Sequence, residues 1–131
     1  MKNRLIISVL FILVVASLLA FSRSSSGEPG LISPAAARER LAQEPGIVLL
    51  DVRTAEEYRE KHIPKSLLLP LDVLEKEVRA KIPAKETVIF VYCRSGRRSA
   101  AAAKLLNALG YQQVFDLGGI IDWPYETETG Q

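Results

Sequence analysis

The sequence is poor in the residues from which many functional sites are built, with one cysteine, one histidine and one tryptophan among 131 residues. A single cysteine excludes an internal disulfide. No Cys-x-x-Cys pair or Cys–His cluster is present that could hold a structural zinc ion. We therefore expect neither a metal nor a cofactor, and the lone Cys93 is expected to be a free thiol or to form an intermolecular bond.

The chain also lacks the excess of positive charge that is typical of nucleic-acid-binding proteins. Its net charge of +2 and pI near 8.8 come partly from the first 23 residues. Three of the 17 basic residues lie there and none of the 15 acidic ones, which leaves 14 basic and 15 acidic residues, or about −1, in the remainder. We expect no nucleic-acid partner.

The first 22 residues have the pattern of a signal peptide or an amino-terminal membrane anchor. Lys2 and Arg4 precede an uncharged apolar stretch over 5–21, whose length lies between that of a signal-peptide core and a minimal membrane span. Ala20 and Ser22 offer a cleavage site. The basic amino end predicts export of the remainder to the periplasm or another extracytoplasmic space, with membrane contact only through this segment. A buried core helix is the alternative, although helices of small domains usually have a polar face.

The rest of the chain is long enough for one domain, which we expect to be monomeric. We predict a flexible linker over 23–32, the domain over 33–125 and a polar tail over 126–131. Strands are predicted over 47–52, 66–70, 87–92 and 113–117. Helices are predicted from 34 to about 44, over 55–61, after Asp72 with Leu74, Val78 and Ile82 on one face, over 98–109 and over 120–123.

Local signals support the helix ends in this scheme. They are Ser33 as an N-cap before Pro34, a capping box of Thr54 with Glu57, a similar cap of Asp72 with Glu75, and Gly110 as a C-cap.

Alternation of strands and helices predicts an α/β fold in which helices cover both faces of a parallel sheet. The strand over 87–92 is the most apolar and is expected to be central. Ligands of such sheets bind outside the carboxyl ends of the strands. Cys93 directly follows the central strand, so it is expected at that edge.

The loop after Cys93 has the composition of an anion-binding site. Successive backbone N–H groups in a tight loop form a concave anion site, and the helix that follows directs its positive dipole end toward the same point. Gly96 permits the turn, and Arg94, Arg97 and Arg98 add positive charge. We expect a lowered pKa for the thiol, and a thiolate that attacks electrophilic sulfur and is stabilised again as a persulfide. The alternatives are a small buried apolar cysteine and a solvated basic turn.

Other notable residues are interpreted as structural. His62, which would be the natural partner for an activated thiol, lies at a predicted helix end, where an imidazole can bond the last carbonyl groups. Asp51 and Arg53 are expected to form a pair that fixes their loop. Three aromatic residues are expected in the core: Tyr58, Tyr111 and Trp123.

Several short motifs, taken together and in order, resemble the rhodanese family of sulfurtransferases from about Ser33 to Trp123. They are Asp51-Val52-Arg53, Glu57-Tyr58, His62-Ile63-Pro64, the loop from Cys93 to Ser99, Gly110-Tyr111, and Gly118-Gly119 before Trp123. The leader and compact domain are similar to periplasmic rhodaneses of the phage-shock type. The sequence departs from the family at Lys61, where glycine is usual, and at Lys65-Ser66, which is often Gly-Ala.

The resemblance implies a five-stranded parallel sheet flanked by helices on both faces, and a ping-pong transfer of sulfane sulfur. In that reaction Cys93 takes sulfur from a thiosulfate-like donor and passes it to cyanide or another thiophilic acceptor. The backbone of the loop would form the cradle and its arginine side chains would hold the sulfonate of the donor. The loop residues concerned are Arg94, Ser95, Gly96, Arg97 and Arg98.

Two other functions are compatible with the same cysteine. One is a sulfur carrier without turnover, or a redox-sensing module that docks on a partner. The other is a cysteine phosphatase or arsenate reductase, but in those loops five residues separate the cysteine from its arginine. Here four residues, 94–97, separate Cys93 from Arg98. The shorter ring suits a single sulfur atom better than a phosphate.

Overall fold

The structure, a computed structural model, describes residues 27–131, so the predicted leader and the first four residues of the predicted linker lie outside the described residues. The linker prediction is wrong at its end, because residues 30–31 form an edge strand that pairs with the last strand of the sheet. Five strands form one sheet in the order β1-β5-β4-β2-β3, and every neighbouring pair is parallel. The α/β fold with a central fourth strand is therefore confirmed. The strands are β1 Gly30–Leu31, β2 Val48–Asp51, β3 Leu67–Leu68, β4 Val88–Cys93 and β5 Gln113–Gly119.

Among residues 27–131, four α-helices connect these strands and a 3₁₀-helix follows β5. They are α1 Pro34–Gln43, α2 Ala55–Glu60, α3 Leu71–Lys81, α4 Arg97–Ala108 and the 3₁₀-helix Ile120–Asp122. Within residues 27–131, none of the helices has both the length and the apolar composition that a membrane crossing requires.

Two apolar clusters lie on opposite faces of the sheet because successive strand residues point to opposite sides. Leu74 and Val78 of α3 and Leu106 of α4 belong to the first cluster, which also contains Cys93. Ala37 of α1 packs in the second cluster, with Leu49, Ile63, Phe90, Tyr92, Leu117 and Ile120. The helices thus cover both faces, as predicted.

Two of the predicted amino-terminal caps are confirmed. The Ser33 hydroxyl accepts a hydrogen bond from the amide of Ala36 over 3.2 Å, directly before Pro34. In the capping box, Thr54 Oγ1 accepts from the amide of Glu57, and the Glu57 carboxylate accepts from the amide of Thr54, over 3.2 and 3.3 Å. The box fixes the start of α2 and the orientation of Glu57.

The predicted cap of Asp72 with Glu75 is wrong. Helix α3 begins at Leu71, with Pro70 at the cap position and no side-chain hydrogen bond there. The backbone directly after β2 replaces the cap, because the Leu71 amide donates to the Val52 carbonyl over 3.1 Å. Asp72 lies in the first turn, where a carboxylate complements the positive end of the helix dipole.

The boundaries around α4 and β5 differ slightly from the predictions. Helix α4 spans Arg97–Ala108, followed by Leu109 and then Gly110 with a φ of +96°. The amides of Gly110 and Tyr111 donate to the carbonyls of Asn107 and Leu106 over 3.0 and 3.1 Å, so Gly110 ends the helix as predicted. Strand β5 extends two residues beyond the predicted end because Gly118 and Gly119 still pair with β4, after a register shift between Val91 and Tyr92. This extension brings β5 beside the loop that follows Cys93.

Candidate active site

Cys93 is the last residue of the central strand and pairs with Gly119 at the carboxyl edge of the sheet. Its side chain is 1% exposed and lies at the end of the first apolar cluster. The predicted position at the strand edge is confirmed. The sulfur forms the floor of a loop of three residues, Arg94 to Gly96, and α4 begins at the next residue.

The loop directs backbone donors at this sulfur. The Gly96 amide donates to Cys93 Sγ over 3.1 Å. Gly96 has φ +104° and occupies the cap position of α4, a left-handed conformation that favours glycine. The amino-terminal end of the 12-residue helix α4, with its positive dipole, therefore adjoins the thiol.

The pKa of the Cys93 thiol is lowered by these donors. Burial is the largest influence and raises the pKa, but hydrogen bonds from Ser99 and from the amides of Gly96 and Ser95 together outweigh it. The Ser99 hydroxyl has a single proton, which it donates to the Gly96 carbonyl over 3.0 Å. The Gly96 amide is the donor whose hydrogen bond to Sγ the structure shows directly.

The end of β5 supports the loop from behind, a role that the sequence reasoning missed. A Cβ atom on Gly119 would overlap the carbonyl group of Arg94 and lie 2.6 Å from the Cα of Ser95. The amide of Ile121 donates to the Arg94 carbonyl over 3.2 Å. The signal for this role in the sequence is the glycine pair Gly118-Gly119, which the sequence analysis names only as a family motif.

The arginine of the loop and the two arginines in the first turn of α4 have different environments. Arg98 forms a bidentate ion pair with Glu57, with Nη1–Oε1 and Nη2–Oε2 distances of 2.7 and 2.9 Å. The Arg98 hydrogen bond lowers the pKa of Glu57 to about 2. Arg94 and Arg97 are exposed, and neither forms an ion pair within residues 27–131. The sequence reasoning assigned Glu57 to the helix cap alone.

Asp51 and Arg53 form the expected loop-fixing pair. Both are buried, and Arg53 Nη2 lies 2.7 Å from Asp51 Oδ2. The same nitrogen donates to the Lys61 carbonyl over 2.7 Å. The pair thus connects the end of β2 to the end of α2. Lys61 has a φ of −167°, an extended conformation open to any residue, so its departure from the family glycine causes no strain here.

His62 has the structural role that was predicted for it. Its Nδ1 lies 2.8 Å from the Tyr58 carbonyl oxygen and its Nε2 lies 3.1 Å from Glu128 Oε1. The ring stacks on Tyr58 at 3.7 Å. Backbone amides of His62 and Glu128 each donate to the other's carbonyl over 2.9 Å, and Gly130 donates to Arg59. The tail over 126–131 is therefore bonded to the end of α2.

Of the three aromatic residues expected in the core, Tyr111 is buried, and its hydroxyl donates to the Ile82 carbonyl over 2.5 Å. Tyr58 and Trp123 are half-buried. The reasoning missed Tyr92, whose buried hydroxyl accepts from the Ile63 amide over 3.1 Å. No group of three or more His, Cys, Asp and Glu side chains within residues 27–131 is arranged to hold a metal ion.

Comparison with known proteins agrees with this arrangement. The model of the rhodanese-like domain matches residues 33–125. The chain belongs to the rhodanese family. Rhodaneses are sulfurtransferases, and the fold, the strand-end cysteine and the arginine-rich loop of this rhodanese are those expected from the sequence resemblance.

Individual relatives differ in how much of their length they share with this rhodanese. Thiosulfate sulfurtransferase PspE of Escherichia coli K12 is 33% identical over 73 residues, which are 56% of this chain and 70% of the relative. A solved structure described as rhodanese with anions from E. coli has a TM-score of 0.60 at 30% identity and covers 63% of this chain and 98% of its own.

A longer relative matches over a similar part of this rhodanese. Adenylyltransferase and sulfurtransferase uba4 of Ogataea parapolymorpha is 38% identical over 86 residues, 65% of this chain. The chain spans only 22% of the length of that relative.

Proposed function

We propose that this rhodanese moves a sulfane sulfur from thiosulfate or a similar donor to a thiophilic acceptor through a persulfide on Cys93. The observation that carries the proposal is the Gly96 amide aimed at Sγ over 3.1 Å, in a loop that lowers the pKa of the thiol. A thiolate held by backbone amides is the nucleophile that such a transfer requires.

The first half-reaction is displacement at the outer sulfur of the donor. The Cys93 thiolate attacks that sulfur, a new S–S bond forms, and the bond to the sulfonate sulfur of thiosulfate breaks to release sulfite. The charges of thiolate (−1) and thiosulfate (−2) equal those of persulfide anion (−1) and sulfite (−2). The persulfide anion is then stabilised by the same amides that held the thiolate.

The second half-reaction returns the enzyme to its starting state. A thiophilic acceptor such as cyanide attacks the outer sulfur of the persulfide, leaves as thiocyanate, and the Cys93 thiolate is restored. The chain has no second cysteine, so an internal thiol cannot accept the sulfur and an outside acceptor is required.

The donor anion is proposed to be held by exposed arginines at the loop. Arg94 and Arg97 are exposed and form no ion pair within the described residues, which suits a sulfonate. The E. coli relative is named for thiosulfate and the similar solved structure for its anions, and both names support a donor of this class.

Intact-mass analysis of the protein after incubation with thiosulfate, with and without a reductant, tests the proposal. We expect a gain of one sulfur atom that the reductant reverses and that Cys93→Ala does not show. No gain in the unaltered protein would contradict the proposal. Steady-state formation of thiocyanate with cyanide distinguishes an enzyme from a carrier, since a carrier would release sulfur once only.

We further propose that residues 1–22 direct export and that the domain acts as a monomer outside the cytoplasm. The basic residues Lys2 and Arg4 before the uncharged stretch over 5–21 support this proposal. Fractionation of cells that produce the complete chain, followed by amino-terminal sequencing, tests it.

A soluble exported protein would have lost the leader and an anchored one would keep it. Recovery from the cytoplasm would contradict export, and sedimentation as a dimer would contradict the monomer.

A further inference from the structure

Glu57 connects α2 to α4, the helix that begins directly after the active-site loop. It lies on α2, whereas its partner Arg98 lies in the first turn of α4, 41 residues later in the sequence. The two side chains are 26% and 33% exposed, so the pair lies at the surface beside the loop rather than in the core.

The Glu57 carboxylate is held in place independently of Arg98. Its Oε1 accepts from the amide and from the hydroxyl of Thr54, over 3.3 and 3.2 Å. Because this capping box anchors the carboxylate, Arg98 is drawn to a fixed negative charge. Both terminal nitrogens of Arg98 are occupied by that carboxylate.

The charge of Arg98 lies within electrostatic reach of the reacting sulfur. The hydrogen bond to Glu57 is the main cause of the raised pKa of Arg98, and the negative charge of the Cys93 thiolate raises that pKa as well. Glu57 therefore neutralises the charge of Arg98, one of three arginines within or directly after the loop. Arg94 and Arg97 keep theirs.

We propose that Glu57 is a specificity-determining residue for the sulfur donor: by binding Arg98, it lowers the positive charge that faces the donor and favours monoanionic sulfane-sulfur donors, such as thiosulfonates, over dianionic thiosulfate. The inference rests on the proposed function and concerns its donor. Glu57 acts through Arg98 and is in this sense a positioning residue.

A monoanionic donor follows the same displacement as thiosulfate. The Cys93 thiolate attacks the outer sulfur of methanethiosulfonate, the new S–S bond forms, and the bond to the oxidised sulfur breaks to release methanesulfinate. The thiolate and methanethiosulfonate each carry one negative charge, and so do the two products, the persulfide anion and methanesulfinate. The two donors thus differ in charge while sharing one reaction.

The test compares Glu57→Gln with Glu56→Gln. Glutamine suits the same position of a capping box, so Glu57→Gln removes the charge and retains the cap. Glu56 is the exposed neighbour on the same helix and has no ion pair within residues 27–131. Its replacement changes the net charge equally, which makes it a matched control.

The measurement is kcat/KM for thiosulfate and for methanethiosulfonate, with cyanide as acceptor. In Glu57→Gln we expect the ratio of thiosulfate to methanethiosulfonate to rise about fivefold, equivalent to about 1 kcal/mol, through a lower KM for thiosulfate. In Glu56→Gln the ratio should stay as in the unaltered protein. A purely structural role of Glu57 would change both donors equally.

A second measurement needs no donor. The pH profile of Cys93 alkylation by iodoacetamide should move to lower pH in Glu57→Gln, because a negative charge near the thiolate is removed, and should not move in Glu56→Gln. If the unaltered protein forms the persulfide but Glu57→Gln changes neither the kcat/KM ratio of the two donors nor the pH profile of alkylation, the role of Glu57 in specificity is wrong. The proposed function then still stands. Failure of the unaltered protein to load from either donor overturns the proposed function, and the specificity with it.

Discussion

Lys65 is the one residue other than glycine that has a positive φ among residues 27–131, at +65°. It lies in the turn between α2 and β3, which the Ser66 amide closes by donating to the Ile63 carbonyl over 3.2 Å. The left-handed conformation brings Cβ close to the following carbonyl and costs roughly 1–2 kcal/mol for an L-residue. The turn therefore explains why glycine is often present at this position in the family.

Lys65→Gly is expected to raise the free energy of unfolding by about 1 kcal/mol, because it removes this strain at the cost of some freedom in the unfolded chain. Lys61 is a matched control, since its φ of −167° suits any residue. Lys61→Gly should lower the free energy of unfolding by about 0.5–1 kcal/mol. Urea denaturation measures both. Equal destabilisation by the two variants would contradict the strain at Lys65.

The structural role of a residue could be predicted from the sequence when its hydrogen-bond or ion-pair partner lies close by in the chain. The Asp51–Arg53 pair, the Thr54 cap and the bond of His62 to the preceding helix end all involve residues within four positions of each other. The Arg98–Glu57 pair spans 41 positions and depends on where the folded molecule places α2 relative to α4. No pattern of neighbouring residues in the sequence predicts such a contact.

At the scale of elements, the strand, loop and helix around Cys93 were predictable because an apolar run, a glycine and an alanine-rich helix follow in order. The support from β5 was not. It depends on the register that pairs Cys93 with Gly119 after a shift between Val91 and Tyr92. Registers between strands distant in sequence are set by three-dimensional packing. For the same reason, the cap of α3 by the Val52 carbonyl escaped prediction.

Gly119→Ala is expected to displace the loop, because its Cβ would collide with the backbone of Arg94 and Ser95. We expect persulfide loading from thiosulfate to fall at least tenfold and the free energy of unfolding to fall by about 1–3 kcal/mol, as for other overpacked sites. Gly46→Ala is the control, since nothing lies within 4 Å of the added Cβ. Comparable loading in the two variants would show that Gly119 does not support the loop.

At the scale of the whole molecule, the alternation of strands and helices was sufficient to predict the sheet and the covering of both faces. The attachment of the tail was beyond such reasoning. Its polar composition predicts a solvated segment, yet His62 and Glu128 exchange two backbone hydrogen bonds. The two residues are 66 positions apart in the sequence, and they come together only when the chain is folded.

The stability of the whole molecule should depend on pH through Cys93. Its folded-state pKa is lowered, whereas the unfolded thiol titrates at about 8.5. Between these two values the unfolded chain binds a proton that the folded one does not, so stability rises with pH, by at most about 1.4 kcal/mol per pH unit. The contribution is complete above the unfolded pKa and is lost as the pH falls through the folded one.

Urea denaturation of the unaltered protein and of Cys93→Ala across this pH range isolates the contribution, since other titrating groups cancel in the difference. The difference in free energy of unfolding should grow with pH and become constant above about 8.5. A difference that does not change with pH would mean that the loop does not favour the thiolate.

The near-complete enclosure of Cys93 has a consequence for the two halves of a catalytic cycle. With 1% of its surface open to water, the bare side chain is sheltered from large oxidants and bulky electrophiles. A second sulfur would stand about 2 Å farther out, the length of an S–S bond. In the free enzyme the thiolate would be shielded from solvent, whereas in the persulfide form the outer sulfur would be accessible to a small acceptor.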